Sequence, residues 1–270
     1  MDPYKIQGPA VVSFSGGRTS AYMLRKILDA HSDALPQDVH VLFANTGKER
    51  SETLDFVRDC SVNWGVEITW LEYRAGGAFV EVTHATASRN GEPFEAIIGE
   101  YGILPNAISR FCTAELKVRT MKRWMVARGY EHWTMVVGLR ADEPRRAIRA
   151  KAPQRERWEN SVPLYDAGVS EADVLAFWRQ QPFDLQLRSY EGNCDLCFLK
   201  AQGKLLRLIE ERPDSAGWWI AQEERFGEVG RGGQFRADRP KYAALAEAVR
   251  KQTRLPLLEA DDSLPCACTD

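Results

Sequence analysis

The sequence predicts an α/β fold: a parallel sheet flanked by helices, followed by a mainly helical part that carries cysteines. Three observations predict it. Short apolar runs alternate with helical patterns through the first half of the 270-residue chain, and strands separated by helices imply βαβ units. A glycine turn, Ser15-Gly16-Gly17, stands where the first strand runs into the first helix. The second half drops the strand signals and places Cys194 and Cys197 among helical patterns. The expected division is 1–165 for the α/β part and 166–270 for the helical part, the two packing as one domain or two.

Taken in order, Ala10 to Phe14 is a short apolar run and reads as the first strand. The helix after it turns in Tyr22, Leu24, Ile27 and Leu28. Val39 to Ala44 is a second strand, ended by Asn45-Thr46-Gly47. Residues 50–62 form a helix, with Leu54, Phe56 and Val57 facing inward. Val66 to Tyr73 alternates as a third strand. Residues 74–111 read as loop-rich, with Gly76-Gly77, Asn90-Gly91 and two prolines. A helix runs from about Leu116 to Arg128, and Gly129 stops it. Trp133 to Val137 is a fourth strand, broken at Gly138. Near-continuous apolar runs such as Ala10–Phe14 and Trp133–Val137 suit a sheet covered on both faces. Residues 140–160 are charged and irregular. Ser170 caps a helix over 171–180, which Pro182 ends. Three more helices are expected near 200–211, 215–226 and 240–251, with a glycine-rich break at 230–233.

Composition narrows the class. Hydrophobic residues make 44% of the chain and charged residues 27%, which excludes wholesale disorder, collagen and coiled coil. No apolar run reaches the ~18–20 residues of a membrane span, so no membrane partner is expected. Met1-Asp2-Pro3-Tyr4-Lys5 lacks a basic-then-apolar leader pattern, and a cytoplasmic location follows as an expectation. There the six cysteines point to metal, cluster or redox chemistry rather than disulfides. The net charge of −2 hides an uneven distribution. Residues 110–128 hold six basic residues against Glu115 alone, and residues 140–157 hold seven against three acids. A local positive field of this kind suits an anionic ligand and leaves room for a nucleic acid.

The octet Ser13-Phe14-Ser15-Gly16-Gly17-Arg18-Thr19-Ser20 is the sharpest feature. Its glycines let the backbone approach a ligand closely. The helix behind it offers free N–H groups and a positive dipole end, which suits phosphate. Ser15, Thr19 and Ser20 add hydroxyls, and Arg18 adds a charge. No Gly-x-x-x-x-Gly-Lys-Ser/Thr string is present, so this is not a Walker A loop. Other catalytic patterns are lacking too: the four histidines are scattered, and there is no Gly-x-Ser-x-Gly elbow.

Ser-Gly-Gly-x-x-Ser after a first strand resembles the PP-loop of the adenine-nucleotide alpha-hydrolase-like superfamily. Further segments resemble the PAPS reductase (phosphoadenosine phosphosulfate reductase) family within it. These are Phe43-Ala44-Asn45-Thr46-Gly47-Lys48-Glu49 followed by Ser51-Glu52-Thr53-Leu54, then Arg110-Phe111-Cys112-Thr113 with Leu116-Lys117-Val118. Gly138-Leu139-Arg140 with Asp142-Glu143 and Arg146, and Ser161-Val162-Pro163-Leu164-Tyr165-Asp166, complete the series. Asn45 stands where that family has Asp, and Ser51 where it has Pro. The resemblance covers roughly residues 10–225. It implies a PP-loop fold in which Ser13, Ser15, Gly16, Gly17, Arg18, Thr19 and Ser20 hold phosphates. It places Asn45, Thr46 and Gly47 at the adenosine end, with Gly138, Arg140, Glu143 and Arg146 completing the nucleotide site. Lys117, Arg140 and Arg146 would neutralise phosphate or sulfate.

Cys194 and Cys197 are spaced to share one metal or cluster. The resemblance adds Cys112 as third ligand, and Cys266 from the tail as fourth, around a [4Fe-4S] cluster. Structural zinc can take the same thiolates, and Cys268 can stand in for Cys266. Sulfonucleotide reductases carry a catalytic cysteine in a Glu-Cys-Gly-x-His tail. Here the tail reads Pro265-Cys266-Ala267-Cys268-Thr269-Asp270, and Cys268 is its nucleophile candidate.

The resemblance implies ATP pyrophosphatase-type sulfur transfer first. ATP, with Mg²⁺, would adenylate an acceptor, which could be a nucleic acid, and a cysteine desulfurase could supply the sulfur. The second expectation is a PAPS or APS reductase that releases sulfite, with thioredoxin as reductant. The third is a non-catalytic nucleotide- or cluster-binding module.

Overall fold

The computed structural model describes residues 2–153, 155–226 and 233–251. The elements run β1 (Ala10–Ser13), α1 (Arg18–Ala30), β2 (Val39–Asn45), α2 (Ser51–Trp64), β3 (Ile68–Arg74), β4 (Ala78–Val82) and α3 (Glu92–Tyr101). Next, α4 (Phe111–Thr113) continues through a π-helical stretch, Ala114–Arg119, into α5 (Thr120–Ala127). β5 (Trp133–Val137), α6 (Pro144–Lys151), β6 (Trp158–Ser161), α7 (Pro163–Asp166) and α8 (Glu171–Trp178) follow. The helical part holds α9 (Gln202–Glu211), α10 (Ala216–Phe226) and α11 (Tyr242–Arg250).

The six strands form one sheet in the order β4-β3-β2-β1-β5-β6. All neighbours are parallel except β3 and β4. β1 lies between β2 and β5, with Ser13 level with Leu42 and Val137. Chain order therefore reverses at β1, and such a switch point opens a crevice at the carboxyl ends of the strands.

Alternation along the strands splits the sheet into two faces. Val12, Val41, Phe43 and Val136 join α1, α2 and α8 in the largest apolar cluster. Val11, Leu42, Ala44 and Met135 face the other way and meet Met121, Trp124 and Met125 of α5. A third cluster joins Phe94, Ile97 and Leu116 to Leu196, Phe198, Trp219, Tyr242 and Leu245. It draws on residues from both sides of the 165/166 boundary. Among the described residues no helix is long and apolar enough to cross a membrane.

The α/β architecture with a helical C-terminal part is as expected, and three stretches differ from the sequence reading. β4 is antiparallel and, with α3, occupies the stretch read as loop-rich. Gly91 as N-cap, Pro93 in the first turn and left-handed Gly102 at the C-cap bound α3, so a proline and glycines there mark helix ends rather than loops. The stretch 140–160 holds α6 and β6. α6 buries only Ala147 and β6 is four residues long, so neither leaves a readable apolar period. The helix expected from Leu116 starts at Phe111, because the π-helical stretch breaks the 3.6-residue period. Ser170 caps α8 as expected, in a reciprocal capping box with Asp173, a device worth about 1 kcal/mol.

Candidate nucleotide site

The turn from β1 to α1 is built for close approach. Gly16 has φ of +80°, and a Cβ on it would lie 2.7 Å from Thr53 Cγ2 and 3.2 Å from Phe43. Only glycine combines that backbone with that packing. The Ser15 N–H donates to Ser20 Oγ at 3.2 Å, the two hydroxyls lie 2.9 Å apart, and Ser20 Oγ donates to the Gly17 carbonyl at 3.0 Å. No side chain caps α1 at Gly17, and no acidic residue stands in its first turn. The positive end of this 13-residue helix is thus open to an anion.

Beside it lies a cavity of about 650 Å³. Ser13, Ser15, Thr19, Ser20 and Gly138 form its loop end, Val118, Met121, Met135 and Trp158 its apolar wall, and Arg110, Lys117, Arg146 and Arg149 its cations. No acidic residue lines it among the described residues. An apolar wall under a cationic rim fits a flat ring carrying phosphates.

Arg140 stands behind the loop. Its Nη1 donates to Thr19 Oγ1 at 3.1 Å and its Nε to Asp142 Oδ1 at 3.0 Å. Asp142 also accepts the Glu171 N–H at 3.0 Å. Burial pushes the Asp142 carboxyl up, but the Glu171 N–H and the Arg140 guanidinium outweigh it and hold it below its usual value. Glu143 accepts the Arg140 N–H at 3.2 Å and pairs with Arg146. Arg140 and Glu143 therefore brace Thr19 and Arg146, which line the cavity themselves.

Other expected residues sit elsewhere. Arg18 turns away from the cavity: its guanidinium pairs with Asp184 at 2.7 Å and reaches the Leu187 carbonyl at 3.2 Å. Asn45 is fully buried. Its amide donates to Glu72 at 2.6 Å and to the Ser88 carbonyl at 2.9 Å, while its oxygen accepts the Gly47 N–H at 3.0 Å. Thr46 donates through N–H and hydroxyl to Glu49, both at 2.7 Å. Asn45, Thr46 and Gly47 thus shape the turn after β2 and are absent from the cavity lining.

Cys112, Cys194 and Cys197 all belong to the apolar cluster around Leu196 and Phe198. Their thiols are the right donors for iron or zinc. Among the described residues, however, no three of His, Cys, Asp or Glu are grouped to hold one metal ion. Cys266 and Cys268 lie outside the described residues. Cys60 is buried on α2, where burial pushes its thiol pKa well up.

Four contributors carry no role in the sequence reading: Arg110, Arg149, Glu49 and Asn193. Arg110 and Glu49 stand inside segments that resemble the family, and Arg149 falls in a basic window, its one signal. Asn193 donates to the Ser15 carbonyl at 3.0 Å across 178 residues, a contact with no local signature.

The fold and the site define an α/β protein with a glycine loop at the switch point of its sheet and a cationic cavity beside it. The profile of the phosphoadenosine phosphosulfate reductase domain matches residues 9–182, and the chain belongs to that family. It is 34% identical over 212 residues to an uncharacterized nin region protein, ORF290, of Escherichia phage lambda, covering 72% of this chain and 67% of the phage protein. It is 25% identical over 215 residues to the uncharacterized protein MJ0066 of Methanocaldococcus jannaschii, covering 77% of this chain and 40% of the archaeal one. A crystal structure of phosphoadenylyl-sulfate reductase from Candida auris, a phosphate complex, superposes with a TM-score of 0.43 at 17% identity, covering 67% of this chain and 79% of that one.

Proposed function

We propose that the cavity binds an adenine nucleotide and that the protein is an ATP-dependent sulfur transferase of the PAPS reductase family. The observation that carries this reading is the uncapped start of α1 beside a cavity that, among the described residues, has four cations and no lining acid. In the proposed reaction an acceptor oxygen attacks the α-phosphorus of ATP. The new O–P bond replaces the bond to pyrophosphate, which leaves. A sulfur nucleophile then attacks the activated acceptor atom, and AMP leaves with the oxygen. The loop N–H groups, Lys117 and Arg146 would offset the charge that builds on phosphate, so catalysis is positioning plus electrostatics. Mg²⁺ would sit on the phosphates. A nucleic acid is the acceptor class the basic windows suggest, with a cysteine desulfurase as sulfur source. Cys112, Cys194, Cys197 and Cys266 would be the ligand set for a [4Fe-4S] cluster or zinc.

The family description favours a second reading, reduction of PAPS or APS with thioredoxin, for which Cys268 is the nucleophile candidate. One assay pair separates the two. Anaerobically purified protein is incubated with ATP, and separately with PAPS plus reduced thioredoxin. Pyrophosphate and AMP from ATP are the expected result. Sulfite from PAPS, with ATP left intact, overturns transfer in favour of reduction. Tight binding without turnover of either leaves a nucleotide-binding module.

A further inference from the structure

Glu49 ends the Phe43–Glu49 segment, where the resemblance gives it no role, and its side chain is fully buried beside the cavity. One carboxylate oxygen accepts the Thr46 N–H and hydroxyl, both at 2.7 Å. The other lies 3.1 Å from Lys117 Nζ, which lines the cavity, and 3.9 Å from Cys194 Sγ. The backbone around Glu49 is held as firmly. Residues 48–50 run against 193–195: the Asp195 N–H donates to the Lys48 carbonyl at 2.9 Å and the Arg50 N–H to the Asn193 carbonyl at 2.8 Å. Lys48 Nζ pairs with Asp195 at 2.8 Å, and Asn193 reaches the Ser15 carbonyl.

We propose that Glu49 is a positioning residue for the nucleotide site: it holds the Lys117 ammonium at the cavity wall and ties that wall to the segment bearing Cys194. The inference rests on the cavity's being a phosphate site. A lysine ammonium ends a flexible stem, and holding it in one place costs side-chain entropy. A buried carboxylate is tolerated only when paired and hydrogen-bonded. Each need answers the other here, and the Thr46 contacts fix the carboxylate without any ligand. Lys117 sits on the π-helical stretch Ala114–Arg119, a local irregularity often found at functional sites. Glu49 touches no bound group itself and acts through Lys117.

A double-mutant cycle on the full chain tests this, with ATP and inorganic pyrophosphate as probes in calorimetric titrations. K117M should weaken binding by about tenfold, the scale of one charge-assisted contact. E49Q, which keeps shape and loses charge, should weaken it by roughly threefold or more. E49Q/K117M should bind within about twofold of K117M alone, because Glu49 has nothing left to act through. Fully additive losses in the double variant would overturn the inference, since they mean Glu49 supports the fold and not Lys117. E49Q binding equal to wild type would overturn it as well. If wild-type protein binds neither probe, the reading of the cavity falls and takes the inference with it, an outcome distinct from additivity.

Discussion

The two faces of the sheet are made by alternate residues of the same strands, and they do different work. Under one face, α1, α2 and α8 close over Val12, Val41, Phe43 and Val136 in one large cluster. Over the other, α5 covers Val11, Leu42 and Met135, and the space between α5 and α6 is the cavity. The packed face supplies stability and holds the strand ends still. The open face supplies a concave wall, where Met121, Met135 and Trp158 pack in the α5 cluster on one side and line the cavity on the other. Gly16 is where the two meet: its backbone opens the loop on the site side, and the atoms nearest a Cβ belong to Thr53 of α2 and to Val57 and Phe43 of the packed cluster.

That meeting point is where the largest effect is expected. Gly16→Ala adds a Cβ in a backbone region that costs about 1–3 kcal/mol for other residues, on top of the clash with Thr53. Chemical denaturation should show a loss of at least that size, and titration with ATP should show binding weakened by about tenfold or more. Unchanged affinity would separate the two faces at the one place where they should be joined. Leu24→Ala strikes the packed face alone. Leu24 is fully buried on α1, so a loss of about 2–5 kcal/mol is expected, with ATP affinity in the remaining folded protein near wild type. A large affinity loss there would mean the faces are not independent.

The smallest expected effect is a pH dependence that belongs to the fold and not the site. His40 packs edge-on against Trp124 and Tyr130. Burial first, and the Arg128 charge second, lower its pKa from the ordinary 6.5. The unfolded chain therefore takes up a proton near pH 6.5 that the folded chain refuses until lower pH. The stability tied to His40 is complete above about pH 6.5 and falls as the pH drops through the folded value. His31, lowered chiefly by burial, adds in the same direction. Denaturation midpoints of His40→Gln between pH 5 and 7 should decline less steeply than those of the parent. An unaltered slope would remove His40 from this account.

Much of the fold was legible because its signals are local. The apolar runs at Ala10–Phe14 and Trp133–Val137, the Ser170 cap and the Ser15-Gly16-Gly17 turn each declare themselves within a few residues. β6 and α6 did not, because a short edge strand and a helix burying one alanine leave no period to read. In the site, the loop was legible for the same reason. The resemblance places Asn45, Thr46 and Gly47 at the adenosine end, and the structure has them holding the turn after β2, outside the cavity lining. Arg18 looked like a phosphate ligand from its place in the loop. Asp184, 166 residues away, holds its side chain away from the cavity, and nothing near Arg18 announces that.

By itself, then, the sequence determined the class of fold, the place of the glycine loop at the end of the first strand, and the positive charge on residues 110–157. Those follow from periodicity, from the freedom of glycine and from composition, all of them local. Only the tertiary structure decided which cations reach the cavity, which polar groups are bound to one another, and that Glu49 joins Lys117 to the Cys194 segment. Those outcomes depend on contacts between residues far apart in the chain. A buried charge takes the partner the fold brings within about 3 Å, and no spacing along the sequence encodes that meeting.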